Sequence, residues 1–199
     1  MELTEAIGRR RMTRNFSGRP LPDGLVDGML ADALRAPSAG NTQGLELVVL
    51  EGPAQTHRYW QATTDEAWRR DSRRYEGLRR APVVILAYAD PDRYVDRYRE
   101  PDKSPVDGTD VTWVVPFWFV DVAFATMTLL LRAAEEQIGA AFLGNFRGDE
   151  ELSAVLGVPP RLAWMGAVLL GEAAEPDPPS SSLKRGRRPF EEAVHRGGW

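Results

Sequence analysis

Residues 35–44 read RAPSAGNTQG. They follow an apolar stripe that predicts a helix and precede LELVVLEG (45–52), which predicts a strand. A helix-to-strand connection needs only a few residues, yet this one carries Pro37, Ser38, Asn41, Thr42 and Gln43. Upstream, Leu25, Val26, Met29, Leu30, Ala33 and Leu34 recur at helical spacing on one face. Pro37 cannot continue that helix and disfavours helical geometry at Ala36, so the helix should end near Arg35. The hydroxyls and amides that follow both donate and accept hydrogen bonds. They suit the edge of a neutral heterocycle, and equally a loop capped on itself.

Working outward, residues 4–11 predict a helix with Thr4 as N-cap. SGRPLPDG (17–24) is a loop, and residues 55–80 are a helical excursion rich in Arg, Trp and Tyr. APVVILAYA (81–89) is nearly continuous in apolar residues, the pattern of a buried central strand. Residues 90–110 are polar and proline-containing and predict a mobile surface loop, with a lid as the alternative. Residues 117–137 predict a long helix, apolar nearly all round. GAAFLGNF (139–146) predicts a short strand ending in a glycine turn, DEELSAVLGVPP (149–160) a helix stopped at Gly157, and LAWMGAVLLGEA (162–173) a further strand. EPDPPSSS (175–182) is a linker and FEEAVHRGGW (190–199) a short terminal helix. Helices first, with strands scattered among long helices, fit an α+β layered domain better than a regular βαβ chain. The expected organisation is a single domain over 1–199, with a C-terminal arm from about residue 174.

The 199 residues, 43% hydrophobic, are enough to bury a sizeable core. With no cysteine there is no disulfide framework or thiolate chemistry, and two distant histidines, His57 and His195, argue against a zinc or haem centre. They also offer no Ser-His-Asp or Cys-His arrangement. No signal-like apolar core opens the chain, and no uninterrupted apolar run of 18 residues occurs. The expectation is a soluble cytoplasmic protein without a membrane partner. Net charge is −4, so nucleic acid is not an expected partner. Basic residues nevertheless gather at Arg9, Arg10, Arg11 and Arg14, and again at Lys184, Arg185, Arg187 and Arg188. Each cluster reads either as a solvated basic surface or as a local anion site. The aromatic run WVVPFWF (113–119) reads as packing or as a stacking wall for a planar ligand.

In order along the chain stand RRRMTRNF (9–16), APSAGNTQ (36–43), an apolar strand after AP (81–82), FLGNF (142–146) and RGRRPFEE (185–192). This set resembles the nitroreductase family of FMN-dependent flavoproteins over nearly the whole chain. The resemblance implies an α+β nitroreductase-like layered fold, a central mostly antiparallel sheet flanked by helices, in an intertwined homodimer. It implies FMN as cofactor and NAD(P)H as electron donor. Hydride would pass by a ping-pong cycle to a nitroaromatic, quinone or related planar acceptor, with flavin N5 rather than a side chain doing the chemistry. Specialised flavin dehydrogenases or oxidases share that fold, and non-catalytic FMN binding is a further alternative.

The resemblance also assigns residues. Arg10, Arg11, Met12 and Arg14 would meet FMN, with Arg185 and Arg187 sharing its phosphate and ribityl end. Pro37, Ser38 and Ala39 would line the isoalloxazine from the partner subunit, with Asn41 and Gln43 nearby. The backbone at Leu143, Gly144 and Asn145 would face the N5 region. Two positions depart from the family pattern: Met12 stands where serine is common, and Leu45 where an aromatic residue is common. Arg73, Arg79 and Arg80 are candidates for a contact at the pyrimidine edge.

Overall fold

The computed structural model describes residues 1–103, 111–145 and 147–199. Its centre is a four-stranded sheet of β1 (Leu45–Glu51), β2 (Val83–Ala89), β3 (Gly139–Leu143) and β4 (Ala163–Gly171), in the order β1-β2-β4-β3. Every pairing is antiparallel. β2 is buried along its whole length because both sheet faces are covered. Successive strand side chains point to opposite faces. Val83 and Ile85 therefore join one hydrophobic cluster with Val168 and Leu170 of β4, while Val84, Leu86 and Tyr88 join another with Ala167 and Leu169.

The first face is covered by α2 (Leu25–Ala33) and α7 (Phe117–Glu135), through Met29, Ala33, Ala125, Leu129 and Ala133. The second is covered by α3 (Gly52–Thr63) and α8 (Asp149–Leu156), through Tyr59, Trp60 and Leu152. The result is a helix–sheet–helix sandwich, the expected α+β class with an antiparallel sheet. By length and composition α7 could cross a membrane. Here it lays Val122, Ala125, Leu129 and Ala133 into the protein interior instead.

Several expectations shift. α1 (Leu3–Arg9) has Glu2, not Thr4, at its N-cap, and it ends before Arg10. The helical excursion breaks into α3, α4 (Glu66–Asp71) and α5 (Tyr75–Leu78). The expected mobile loop over 90–110 begins as α6 (Pro91–Tyr98). Its start signal is proline at the first helical position after Asp90, a site where the missing N–H costs nothing. Tyr94 of α6 is fully buried, which anchors the helix. Residues 104–110 of the expected lid, and Phe146 of FLGNF, lie outside the described residues. The aromatic run packs within the chain: Trp113 meets Tyr98 edge-to-face at 4.7 Å and Trp118 at 5.9 Å.

The tail leaves β4 beside the N-terminal segment. Phe16 bridges Ala173, Ser17 N–H donates to the Glu172 carbonyl at 2.9 Å, and Ala174 N–H to the Asn15 carbonyl at 2.9 Å. Residues 181–199 are all exposed. Arg185 and Arg187 flank a turn. Ser181–Arg185 is a 3-10 turn, and Gly186 has φ 72 and ψ −172, a conformation open essentially to glycine alone. The terminal helix, α9, covers only Phe190–Ala193.

Candidate functional site

Beyond α1 the chain turns extended and lies along the sheet. Thr13 N–H donates to the Ala140 carbonyl at 2.8 Å, so residues 12–14 run beside β3. Met12 brings a thioether to this position, and its sulfur receives the Phe142 N–H at 3.4 Å. Arg14 is thereby set near the end of β3. It shares a cavity of about 420 Å³ with Leu143, Gly144 and Asn145. The opposite wall comes from α3 (Tyr59, Trp60, Thr63) and from Trp68 and Arg74. That volume falls in the range of small-molecule sites, ~300–1,000 Å³.

The polar groups of this cavity are unevenly matched. The Arg14 guanidinium donates to the Met12 carbonyl at 2.9 Å, and its backbone N–H to the Asp177 carboxylate at 3.2 Å. Burial, followed by the positive charge of Arg74, lowers the Arg14 pKa, while Asp177 opposes the shift. Two guanidiniums thus face one space and repel each other. Arg74 reaches the Ser180 hydroxyl at 3.4 Å, and Arg147 is paired with Asp65. The Asn145 amide oxygen accepts the Tyr59 hydroxyl at 2.9 Å. The Asn145 amide nitrogen and the Trp60 indole nitrogen are buried and have no acceptor among the described residues. The cavity's lining carries the like charges of Arg14 and Arg74.

The turn at 37–43 lies in a different place. Ala39–Asn41 forms a 3-10 turn in which Asn41 and Gln43 hold left-handed φ values of 55 and 54. Such values are uncommon outside glycine and persist only where surroundings impose them. The surroundings are visible. Asp121 of α7 is buried, and one of its carboxylate oxygens accepts both the Ala39 N–H at 2.8 Å and the Tyr94 hydroxyl at 2.7 Å. Burial, then the hydrogen bond and charge of Asp121, raise the Tyr94 pKa, so this phenol stays protonated and donates. Arg97 donates to the Gly40 carbonyl at 2.8 Å. The Ser38 hydroxyl accepts the Gln43 N–H at 2.9 Å, and the Thr42 hydroxyl donates to the Ala39 carbonyl at 2.6 Å. Pro37, Ser38 and Gln43 line a smaller hollow of about 200 Å³ together with Tyr94 and Asp121.

Arg10 and Arg11 line a third hollow, of about 210 Å³, against Leu130, Ala134 and Gln137 of the α7 end and Gly139 of β3. Arg185 and Arg187 are exposed in the tail. Within one chain, then, the structure brings together Arg14, Leu143, Gly144 and Asn145, with Met12 alongside. It does not bring Arg10 and Arg11, the 37–43 turn, or Arg185 and Arg187 into that cavity. Of the pyrimidine-edge candidates, Arg79 pairs with Glu76 and Arg80 bonds the Asn15 side chain, while Arg74 is the arginine lining the cavity. Tyr59 and Trp60 were missed. Their buried spacing with Thr56 and Thr63 marks an inward face of α3, but nothing in the sequence says that β3 ends opposite it. Asp121 and Tyr94 were also missed, although a lone aspartate inside an apolar helix is a signal in itself.

The chain is an antiparallel α+β sandwich with a cavity of small-molecule size at the end of β3. The nitroreductase family model matches residues 7–172, and the chain belongs to the nitroreductase family. A curated relative, the NADH dehydrogenase of Thermus thermophilus, is 29% identical over 92% of this chain and 92% of its own. Among solved structures, a nitroreductase family protein from Clostridium difficile superposes with a TM-score of 0.73 at 20% identity, covering both chains fully. A nitroreductase-type protein from Desulfovibrio desulfuricans, crystallised in complex with FMN, gives 0.73 at 22% identity, over 100% of this chain and 98% of its own.

Proposed function

We propose that the protein is an FMN-dependent oxidoreductase that takes hydride from NAD(P)H and passes it to a nitroaromatic, quinone or related planar acceptor. The observation that carries this reading is the cavity beside β3, where Arg14 and Arg74 converge beside Leu143 and Gly144. A flavin ring presents several oxygen and nitrogen acceptors along its polar edge, so the donor set fits it. Bound there, FMN would supply the two-electron hydride chemistry of a ping-pong cycle.

The chain's own residues supply position and field. Arg14 and Arg74 would hold the pyrimidine edge, where a fixed positive charge favours the electron-rich form of the ring. The main chain at Leu143 and Gly144 would lie at N5. Trp60 and Trp68 would shield the ring from water. Arg10, Arg11, Arg185 and Arg187 would serve the phosphate, which suits guanidinium forks. The 37–43 turn would come from the partner subunit, which explains why it stands apart from the cavity in one chain.

A homodimer has its own support. Phe117, Phe124 and Met127 form an exposed stripe along α7, with Leu34 and Ile7 also exposed. Apolar surface of this kind marks an interface. The chain would act as one FMN-binding domain with residues from about 174 forming an arm over the partner. The experiment is to purify the protein and record its spectrum. A yellow protein that releases FMN on denaturation, and whose flavin is bleached anaerobically by NADH or NADPH, supports the reading. A colourless protein that takes up no FMN on titration contradicts it. Light scattering should report a dimer, and Phe124→Glu with Met127→Glu should give a monomer with weakened FMN binding.

A further inference from the structure

Soon after leaving β4 the tail crosses the segment that carries Arg14. Ala174 N–H donates to the Asn15 carbonyl at 2.9 Å, and the Asn15 side-chain amide donates to the Pro176 carbonyl at 2.9 Å. The Arg14 backbone N–H then meets both carboxylate oxygens of the half-buried Asp177, each at 3.2 Å. Further along, the Ser180 hydroxyl accepts from the Arg74 guanidinium at 3.4 Å. Residues 174–180 thus touch both arginines that line the cavity beside β3. A backbone N–H needs only one acceptor, and a hydroxyl or carbonyl would do. A carboxylate also brings a full negative charge. That charge is felt at the guanidinium: it favours the charged form of Arg14, against burial and the repulsion of Arg74. The guanidinium itself donates to the neutral Met12 carbonyl at 2.9 Å. Anchoring and charge compensation are therefore joined in Asp177, and substitution can separate them.

We propose that Asp177 is a positioning residue of this cavity: it anchors Arg14 through the main chain and moderates the positive charge that Arg14 and Arg74 present to the bound ring. The inference rests on the FMN reading and adds to it a residue of the tail. Reduction makes a flavin ring more electron-rich, and fixed positive charge beside it favours that form. Asp177 offsets part of this charge. It therefore holds the reduction potential of the bound flavin more negative, which makes the reduced ring a stronger hydride donor.

The test compares wild type with Asp177→Asn, Asp177→Glu, Asp177→Ala, Arg14→Ala and the Arg14→Ala/Asp177→Ala double variant, each checked for folding by circular dichroism and thermal unfolding. The readouts are the FMN dissociation constant of the apoprotein and the midpoint potential of the bound flavin. Asp177→Asn keeps an acceptor oxygen for the Arg14 N–H and removes the charge. It should bind FMN at least as tightly as wild type and shift the potential positive. Asp177→Glu keeps the charge and should return the potential to near the wild-type value. Asp177→Ala loses the anchor as well and should weaken FMN about fivefold, the scale of one ordinary hydrogen bond. That loss should disappear in the Arg14→Ala background, where no guanidinium is left to place. A merely structural carboxylate would lower thermal stability in Asp177→Ala and leave the potential alone in Asp177→Asn. If wild type binds FMN while Asp177→Asn leaves the potential unchanged or shifts it negative, the inference on Asp177 is overturned and the flavin reading stands. If wild type takes up no FMN at all, the flavin reading itself falls, and this inference with it.

Discussion

The 37–43 turn and the cavity at Arg14 hold similar kinds of polar residue and use them in opposite ways. In the turn, the Ala39 N–H, the Gly40 carbonyl, the Ser38 hydroxyl and the Thr42 hydroxyl all meet partners from the same chain. In the cavity, the guanidiniums of Arg14 and Arg74 share one space and repel each other. The first region is a folded object, held from behind by Asp121, Tyr94 and Arg97. The second is an open cavity lined by like charges. Amide-rich sequence alone does not distinguish the two, because the distinction lies in whether hydrogen bonds close within the chain.

If that contrast is right, substitutions in the two regions should separate stability from binding. The largest effect belongs to Asp121→Ala. It leaves a part-buried N–H and a buried phenol without their shared acceptor, and should cost about 3 kcal/mol on thermal or urea unfolding. Asp121→Asn retains an acceptor oxygen and should cost clearly less. Equal losses in the two variants would mean that the hydrogen bonds are not what holds the turn.

Gly44→Ala comes next. A Cβ there would stand 2.4 Å from the ring of the fully buried Tyr94, and the expected loss is about 2 kcal/mol by the same assay. Arg74→Ala tests the other region. Removing one of two repelling cations should leave the unfolding midpoint nearly unchanged while weakening FMN by ~1–3 kcal/mol, read from a fluorescence titration. A stability loss without a binding loss would reverse the roles assigned to the two regions.

The smallest effect concerns acid. The Asp102 carboxyl is held down to about 2 by its hydrogen bond from Arg97, the residue that also supports Gly40. A depressed carboxyl pKa contributes stability above its unfolded value near 4, and that contribution is lost as pH falls towards 2. Asp102→Asn should therefore be slightly less stable than wild type at neutral pH and indistinguishable below pH 2, by urea unfolding. The pair is solvent-exposed, so the difference should also shrink in high salt.

How far the sequence could be read follows the range of the interactions. The buried strand over 83–89 was legible because continuous apolar residues leave both faces nowhere but inside. The long helix over 117–135 was legible from its apolar periodicity, and α8 from its stop before Gly157. α6 was not, because polar side chains disguised a proline-led start, and only the burial of Tyr94 against α7 makes the helix pay. In the candidate site, Arg14, Leu143 and Gly144 were legible from motif order, and the structure places them in one cavity. Tyr59 and Arg74 were not, because what brings them to the cavity is the meeting of α3 and its following segment with the end of β3, more than 60 residues apart in sequence. Met12 was legible as a departure, but its sulfur acceptance of the Phe142 N–H required the fold to appear.

The central proposal is that the two arginines sharing the cavity beside β3, Arg14 and Arg74, help form an FMN site. The most direct measurement is a titration of apoprotein with FMN, followed by flavin fluorescence, for wild type and the Arg14→Ala/Arg74→Ala double variant. The expected result is one FMN bound per wild-type chain and an affinity at least about 100-fold weaker in the double variant, with both proteins folded, as two charge-assisted contacts require. Equal affinity in the two proteins, or no binding by wild type, would contradict the claim.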